Sequence, residues 1–143
     1  MASQEFTIEE RMPNLNDYTR AIGYSRYAGG EMKEEWDEVV RIAAKQARLG
    51  HFTEPITIEF HWYEPNTNRD VDNVAFAKKF ILDGLQKAGV ITNDNYKWVK
   101  GFSDHFHYDG TAKVHVIMTE IDPNVPDQPI TSTNDNLRDR RKR

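Results

Sequence analysis

Residues 56–63 alternate strictly between apolar and polar side chains, and this pattern constrains the fold more than any other segment. The apolar members are Ile56, Ile58, Phe60 and Trp62, and the polar members are Thr57, Glu59 and His61. Because successive side chains of a strand point to opposite faces, the alternation predicts a strand that is buried on one side only. The chain therefore needs a sheet with one packed face and one open face.

Two segments carry helical periodicity. In residues 32–49 apolar side chains recur at helical spacing, and Gly50 follows where a helix cap is expected. Residues 73–88 have an apolar stripe and end before Gly89. Residues 14–30 are rich in Asn, Tyr and Gly and are predicted to be a loop. The domain is thus expected to have two main helices.

The remaining strands are predicted near both ends of the domain. Phe6 and Ile8 mark a first strand, while residues 96–106 and 113–121 are predicted to form a hairpin around the Asp109-Gly110 turn. The order β-α-β-α-β-β predicts a single α+β domain over residues 1–121 with a largely antiparallel sheet. Residues 122–143 hold three prolines and few large apolar side chains, which predicts a flexible basic tail.

Composition excludes several classes of protein. The chain has no cysteine, so disulfides, thiolate metal sites and cysteine nucleophiles are ruled out. No apolar stretch approaches the roughly 18 residues of a membrane span, so we expect a cytoplasmic protein with no membrane partner. The net charge of −4 disfavours nucleic acid mildly, but a carboxylate metal site and a locally basic C-terminus weaken that objection. The net charge therefore does not decide whether the chain binds nucleic acid.

Asp70 and Asp72 stand two residues apart before the second predicted helix. In an extended chain both carboxylates would face the same side, and hard oxygen ligands of this kind suit Mg²⁺. Such an ion can activate water and stabilise charge on a phosphate. The alternative is simple helix capping by Asp72 or Asn73, with favourable charge at the helix N-terminus. Spacing alone leaves both interpretations open.

A longer ordered motif surrounds these aspartates. It consists of Arg69-Asp70-Val71-Asp72-Asn73, Lys79-Phe80-Ile81-Leu82-Asp83-Gly84-Leu85, Ala88-Gly89-Val90-Ile91 and Asn93-Asp94. This order resembles the RusA family of Holliday-junction resolvases, whose pattern is D-x-D-N, K-x-x-L-D-A-L, A-G and D-D. Residues 13–18 resemble the P-x-x-N-x-Y loop of the same family. Asn93 replaces an acid of the pattern, and the spacing from Asp72 to the lysine is two residues longer.

The resemblance implies a DNA endonuclease that depends on Mg²⁺, with Mn²⁺ as a substitute, and that hydrolyses paired phosphodiesters in four-way junctions. Asp70, Asp72 and Asp94 would be the catalytic metal ligands, together with an essential lysine. Lys78 and Lys79 compete for that role. We favour Lys79, because it points away from the apolar stripe and lies at i+7 from Asp72.

The predicted helix over residues 73–88 would be about 24 Å long, which separates Asp94 from the other two aspartates. A homodimer with antiparallel helices would bring Asp94 of one copy to the other copy's pair, with Phe76 and Phe80 in the interface. The alternative is that a long loop folds Asp94 back within one chain, or that the helix is shorter. Two-fold symmetry also matches a four-way junction. The residues expected to contact DNA are Arg69, Lys78, Asn16, Lys33, Arg140 and Arg141.

Several alternatives stay open at this point. The chain could bind branched DNA without cutting it, hydrolyse a small phosphorylated substrate, or use the acidic motif only as a cap in a protein-interaction module. Tyr96 and Trp98 suit core packing better than base stacking. A second metal site is conceivable at His105, His107, Asp109 and His115, although a solvated strand face is the commoner reason for such a pattern.

Overall fold

The computed structural model describes residues 2–122, which form a small α+β domain. Its elements are β1 Ser3–Ile8, α1 Leu15–Tyr24, α2 Arg26–Gln46, β2 Ile56–Tyr63, α3 Val71–Ala75, α4 Lys78–Lys87, β3 Val99–His107 and β4 Lys113–Glu120. None of the helices within residues 2–122 is long and apolar enough to cross a membrane. The predicted tail, with Arg140 and Arg141, lies almost wholly outside the described residues.

The four strands form one mixed sheet in the order β1-β4-β2-β3. β4 runs antiparallel to both β1 and β2, so the antiparallel expectation holds for these two pairings. The predicted hairpin is wrong, because β3 pairs in parallel with β2 and β4 lies on the other side of β2. Parallel neighbours need a crossover, and α3 and α4 supply it between β2 and β3. The Asp109-Gly110 signal marks a chain reversal, with φ of +86° at Gly110, but does not fix which strands pair.

The predicted alternation in β2 is confirmed. Every second residue of the strand is buried, and these residues, Ile56, Ile58, Phe60 and Trp62, lie in the core. Neighbouring β4 contributes Val114, Val116 and Met118 to the same face. Trp36 of α2 packs against this core. The opposite face of the sheet carries the polar members of each strand and remains half-exposed.

The predicted loop over residues 14–30 is wrong, because this segment forms α1 and the beginning of α2. Asn14 caps α1: its Oδ1 accepts from the Asp17 amide at 2.8 Å, and its own amide donates to Asp17 Oδ2 at 2.9 Å. Ser25 ends α1 and caps α2 by accepting from the Ala28 amide. The polar residues that suggested a loop are therefore cap residues of two helices.

The second predicted helix is divided into α3 and α4, which are separated at Phe76 and Ala77. α4 packs closely against α2 at Gly84, where an added Cβ would lie 2.5 Å from the Val40 Cβ. The close packing of the two helices requires the absence of a side chain at Gly84.

Phe76 and Phe80 belong to an aromatic cluster within the chain. The Tyr18 ring lies 5.5 Å from that of Phe76 and 6.0 Å from that of Phe80, and the two phenylalanines contact each other edge to face. Phe80 is only 1% exposed. The expectation that Phe80 contributes to a dimer interface is therefore wrong, because α1 covers the side of the helix that was predicted to be free.

Candidate functional site

Asp70 and Asp72 lie on the exposed surface at the beginning of α3. Asp70 is extended, with φ of −69° and ψ of 151°, and occupies the N-cap position, but its carboxylate makes no capping hydrogen bond. Asp72 accepts only from the amide of the next residue, Asn73, at 3.0 Å. The expected cap at Asp72 or Asn73 is thus wrong. The extended backbone predicted for Asp72 is also wrong. The Phe76 amide donates a hydrogen bond to the Asp72 carbonyl, so Asp72 is part of the helix.

Asp94 is exposed in the loop after α4. The ten residues of α4 span about 15 Å, and Asp70 and Asp72 precede this helix. Within residues 2–122, the only set of three or more metal-ligating side chains at mutual ligand distance is Glu59, His61 and His105. A single chain therefore does not bring the three aspartates to one ion, as their separation along the helix leads one to expect.

The two competing lysines have different surroundings. Lys78 Nζ bonds Asp104 Oδ2 at 2.8 Å and lies 4.7 Å from the centre of the Phe102 ring. Asp104 Oδ1 also accepts from Trp62 Nε1 at 2.8 Å. Lys79 is exposed and makes no ion pair within the described part of the chain. Lys79 is therefore the lysine with an ammonium group available to a ligand, while Lys78 attaches α4 to the sheet.

Arg69 joins the segment before α3 to the beginning of α1. Its Nη1 donates to the Met12 carbonyl at 2.9 Å, and its Nη2 lies 3.2 Å from Asp17 Oδ2. Arg11 and Arg20 line the same open pocket of about 300 Å³. Three arginines and Asp17 thus line one depression, and one of these arginines, Arg69, directly precedes Asp70 in the chain. Such a set suits an anionic ligand, although each arginine already has an acidic partner.

Asn16 and Lys33, both expected to contact DNA, lie in different settings. Asn16 is exposed in the first turn of α1. Lys33 Nζ is held by Asp37 Oδ2 at 2.8 Å and Asp83 Oδ2 at 2.9 Å, and so connects α2 to α4. Burial opposes the charge on Lys33, but the hydrogen bonds and negative charge of Asp37 and Asp83 outweigh it and raise the pKa of its ammonium. The nearby solvent side of α2 carries Glu31, Glu34, Glu35 and Glu38.

A run of aromatic and basic side chains follows Asp94. Lys100 Nζ lies 4.1 Å from the centre of the Tyr96 ring, and Lys97 Nζ lies 5.5 Å from that of Trp98. Tyr96 is 66% exposed, so the core role expected for it is wrong. The alternation of aromatic residues and lysines over residues 96–100 is the sequence signal that marks this surface. Exposed rings and cations of this kind suit nucleic-acid bases and phosphates.

The open face of the sheet holds the histidine-rich group. Glu59, His61 and His105 lie within ligand distance of one another, and His107 Nε2 is 2.9 Å from His61 Nδ1. Glu59 and His61 lie two residues apart on one face of β2, but the sequence does not link them to His105, because only the pairing of β2 with β3 brings His105 beside them. Asp109 is not in the group: hydrogen bonds from the Thr111 hydroxyl and amide hold its carboxylate and lower its pKa.

No protein-family model matches this chain, and no curated protein matches it.

Proposed function

We propose that this protein is a metal-dependent endonuclease that resolves four-way DNA junctions, as its resemblance to the RusA family implies. The observation that carries the proposal is the state of Asp70 and Asp72. Both carboxylates are exposed at the beginning of α3, and neither caps that helix. Side-chain capping, which would otherwise explain a D-x-D-N motif, is therefore not used; Asp72 adds negative charge to the first turn of α3, and the carboxylate oxygens remain available to a cation.

The surroundings of the aspartates suit a phosphodiester substrate. Arg69, which directly precedes Asp70, lines the arginine pocket, and exposed Tyr96 with Lys97 and Lys100 follows Asp94. Cations near each part of the site can hold the DNA backbone, and an exposed ring can stack on an unpaired base.

The proposed site requires a second copy of the chain. One copy does not bring Asp94 to Asp70 and Asp72, whereas two copies packed with antiparallel α3–α4 segments would place Asp94 of each beside the pair of the other. The resulting dimer would have two identical sites related by a two-fold axis. Two sites match the two cuts that release a four-way junction.

The carboxylates of Asp70, Asp72 and Asp94 would hold Mg²⁺, and their exposed hard oxygens fit that ion and Mn²⁺. When bound, the ion supplies an activated water and neutralises charge on the scissile phosphate. Lys79, which has no ion-pair partner in residues 2–122, would neutralise the phosphate as negative charge increases. Arg69 would contact the DNA backbone next to the scissile phosphate and position it.

The test is cleavage of a synthetic four-way junction in Mg²⁺ by wild type, Asp72→Asn and the control Glu34→Gln. Glu34 is an exposed acid on α2, away from the aspartates. We expect paired symmetric cuts from wild type and the control, and binding without cutting from Asp72→Asn. Binding by wild type without cleavage in Mg²⁺ or Mn²⁺ would instead support a non-catalytic branched-DNA-binding protein.

A further inference from the structure

Histidines are concentrated on the open face of the sheet. His115, His61 and His105 are paired across β4, β2 and β3, so that they form one row perpendicular to the strands. His107 adjoins the row, which means that four of the five histidines of the chain share one surface. Glu59 lies two residues before His61 on the same face of β2. No residue of this surface belongs to the proposed nuclease site.

The three ligating groups surround a small volume. The Glu59 carboxylate lies 2.6 Å from His61 Nε2 through Oε2 and 4.0 Å from His105 Nε2 through Oε1. The His61 and His105 rings are stacked with their centres 4.7 Å apart. Ligand atoms about 2.0–2.1 Å from a tetrahedral ion are about 3.4 Å from each other. The two separations from Glu59 lie on either side of that value, and all the ligand atoms lie within 4.8 Å of one another, so binding an ion requires rotation of the stacked histidine rings but no movement of the strands.

His105 provides the second observation. Its side chain is 42% exposed, but its Nε2 atom is covered by neighbouring atoms and has no hydrogen-bond partner in the structure. A buried polar atom without a partner is unfavourable, and most such atoms in proteins are satisfied by a hydrogen bond, water or ion. The closest acidic atom is Glu59 Oε1, which at 4.0 Å is too far for a hydrogen bond. An ion between the two groups would satisfy both.

We infer that Glu59, His61 and His105 form a binding site for a divalent transition-metal ion of the zinc class. Two imidazoles and one carboxylate are ligands that Zn²⁺ accepts readily, whereas Mg²⁺ prefers oxygen ligands and water. Three protein ligands leave a fourth position for water. His115 is not part of the set, because its ring nitrogens are not within ligand distance of the other three groups; its Nε2 contacts Glu5 Oε1 at 3.1 Å.

His107 supports the site from outside the ligand set. An ion on His61 Nε2 leaves the proton of that ring on Nδ1, which would then donate to His107 Nε2 at 2.9 Å. Such an outer hydrogen bond fixes the tautomer and orientation of a ligating histidine. His107 is itself stacked on Tyr63, with the ring centres 4.5 Å apart. The ion would also connect the edge strand β3 to β2.

Calorimetric titration with Zn²⁺ tests the site, using the full-length chain after dialysis against a chelator. We expect one tight site in wild type, with an affinity at least tenfold weaker in His61→Ala, His105→Ala and Glu59→Gln. The control is His51→Ala, because His51 contacts Gly89 and Thr92 outside the sheet face. Circular dichroism of each variant shows whether it is folded. Equal affinity in wild type and in folded His105→Ala would overturn the proposal.

Two further measurements separate this site from the nuclease site. Co²⁺ bound to wild type should show the visible absorption of a tetrahedral ion, and His61→Ala should lose it. Asp72→Asn should retain full Zn²⁺ affinity, whether or not the protein cuts DNA. If Asp72→Asn loses the Zn²⁺ site while His61→Ala keeps it, the ion binds at the aspartates and the inference is wrong.

Discussion

Lys78 Nζ bonds Asp104 Oδ2 at 2.8 Å, and this ion pair connects α4 to the edge strand β3. Both side chains are largely shielded from solvent, and Asp104 is also bonded by the indole of Trp62. The neighbouring Lys79 has no such partner in residues 2–122. Two adjacent lysines thus have separable roles, one in the fold and one in the proposed chemistry.

Replacing these lysines should therefore give opposite results. Lys78→Ala should lower the free energy of unfolding by about 0.5–1 kcal/mol, because it removes a partly exposed ion pair with Asp104. Lys79→Ala should leave that free energy within about 0.5 kcal/mol of wild type but reduce junction cleavage strongly. Urea denaturation and single-turnover cleavage measure the two effects. Full cleavage by Lys79→Ala would exclude this lysine from the mechanism.

The packing of α2 on α4 predicts a steric effect at Gly84. Gly84→Ala should destabilise the domain by about 1–3 kcal/mol, because the new Cβ would overlap Val40. Gly30 in α2 is the matched control, since nothing lies within 4 Å of its added Cβ. Gly30→Ala should stabilise the helix by about 0.5–1 kcal/mol. Thermal denaturation of both variants shows whether the two signs differ as expected.

Lys33 should give stability that depends on pH in the alkaline range. Its pKa is raised above the usual 10.5 by Asp37 and Asp83, against the effect of burial. The folded protein therefore holds this proton more tightly than the unfolded chain. The stability of wild type over Lys33→Met should be constant below about pH 10 and should decrease as pH rises through the folded pKa of Lys33. Urea denaturation at several pH values measures this difference in stability. If the advantage of wild type over Lys33→Met grows as the pH rises, the raised pKa assigned to Lys33 is wrong.

The exposed ring of Tyr96 should contribute to junction binding if DNA covers the surface near Asp94. Tyr96→Leu should weaken binding by about five- to a hundredfold, the range for loss of one stacked base. Tyr108, which is exposed in the turn before β4, provides a control outside this surface. Tyr108→Leu should leave affinity unchanged. Equal affinity of both variants would place the DNA elsewhere.

How far the sequence predicts this fold depends on whether the signal is local. The alternation of β2 predicted its burial correctly, because each side chain reports its own face of the strand. The hairpin failed, since a turn at Asp109-Gly110 does not reveal that β3 instead joins β2. The prediction of a loop over residues 14–30 failed because Asn14 and Ser25 are helix caps, and cap residues are the same residue types that are common in loops.

The candidate sites show the same limit. The resolvase-like motif singles out Asp70, Asp72 and Asp94 as a set, but their distances depend on α4 and on any second copy of the chain. Glu59 and His105 become neighbours only through strand pairing, which no spacing in the sequence records. Local chemistry was therefore predictable, whereas long-range juxtaposition was not.

Mixing two inactive chains tests the central claim most directly. Asp72→Asn and Asp94→Asn each damage both sites of a homodimer, but a heterodimer of the two would hold one damaged site and one intact site. We expect the mixture to nick four-way junctions in Mg²⁺ without the paired second cut, while each variant alone is inactive. No cleavage by heterodimers that form and bind the junction would contradict a site shared between two copies.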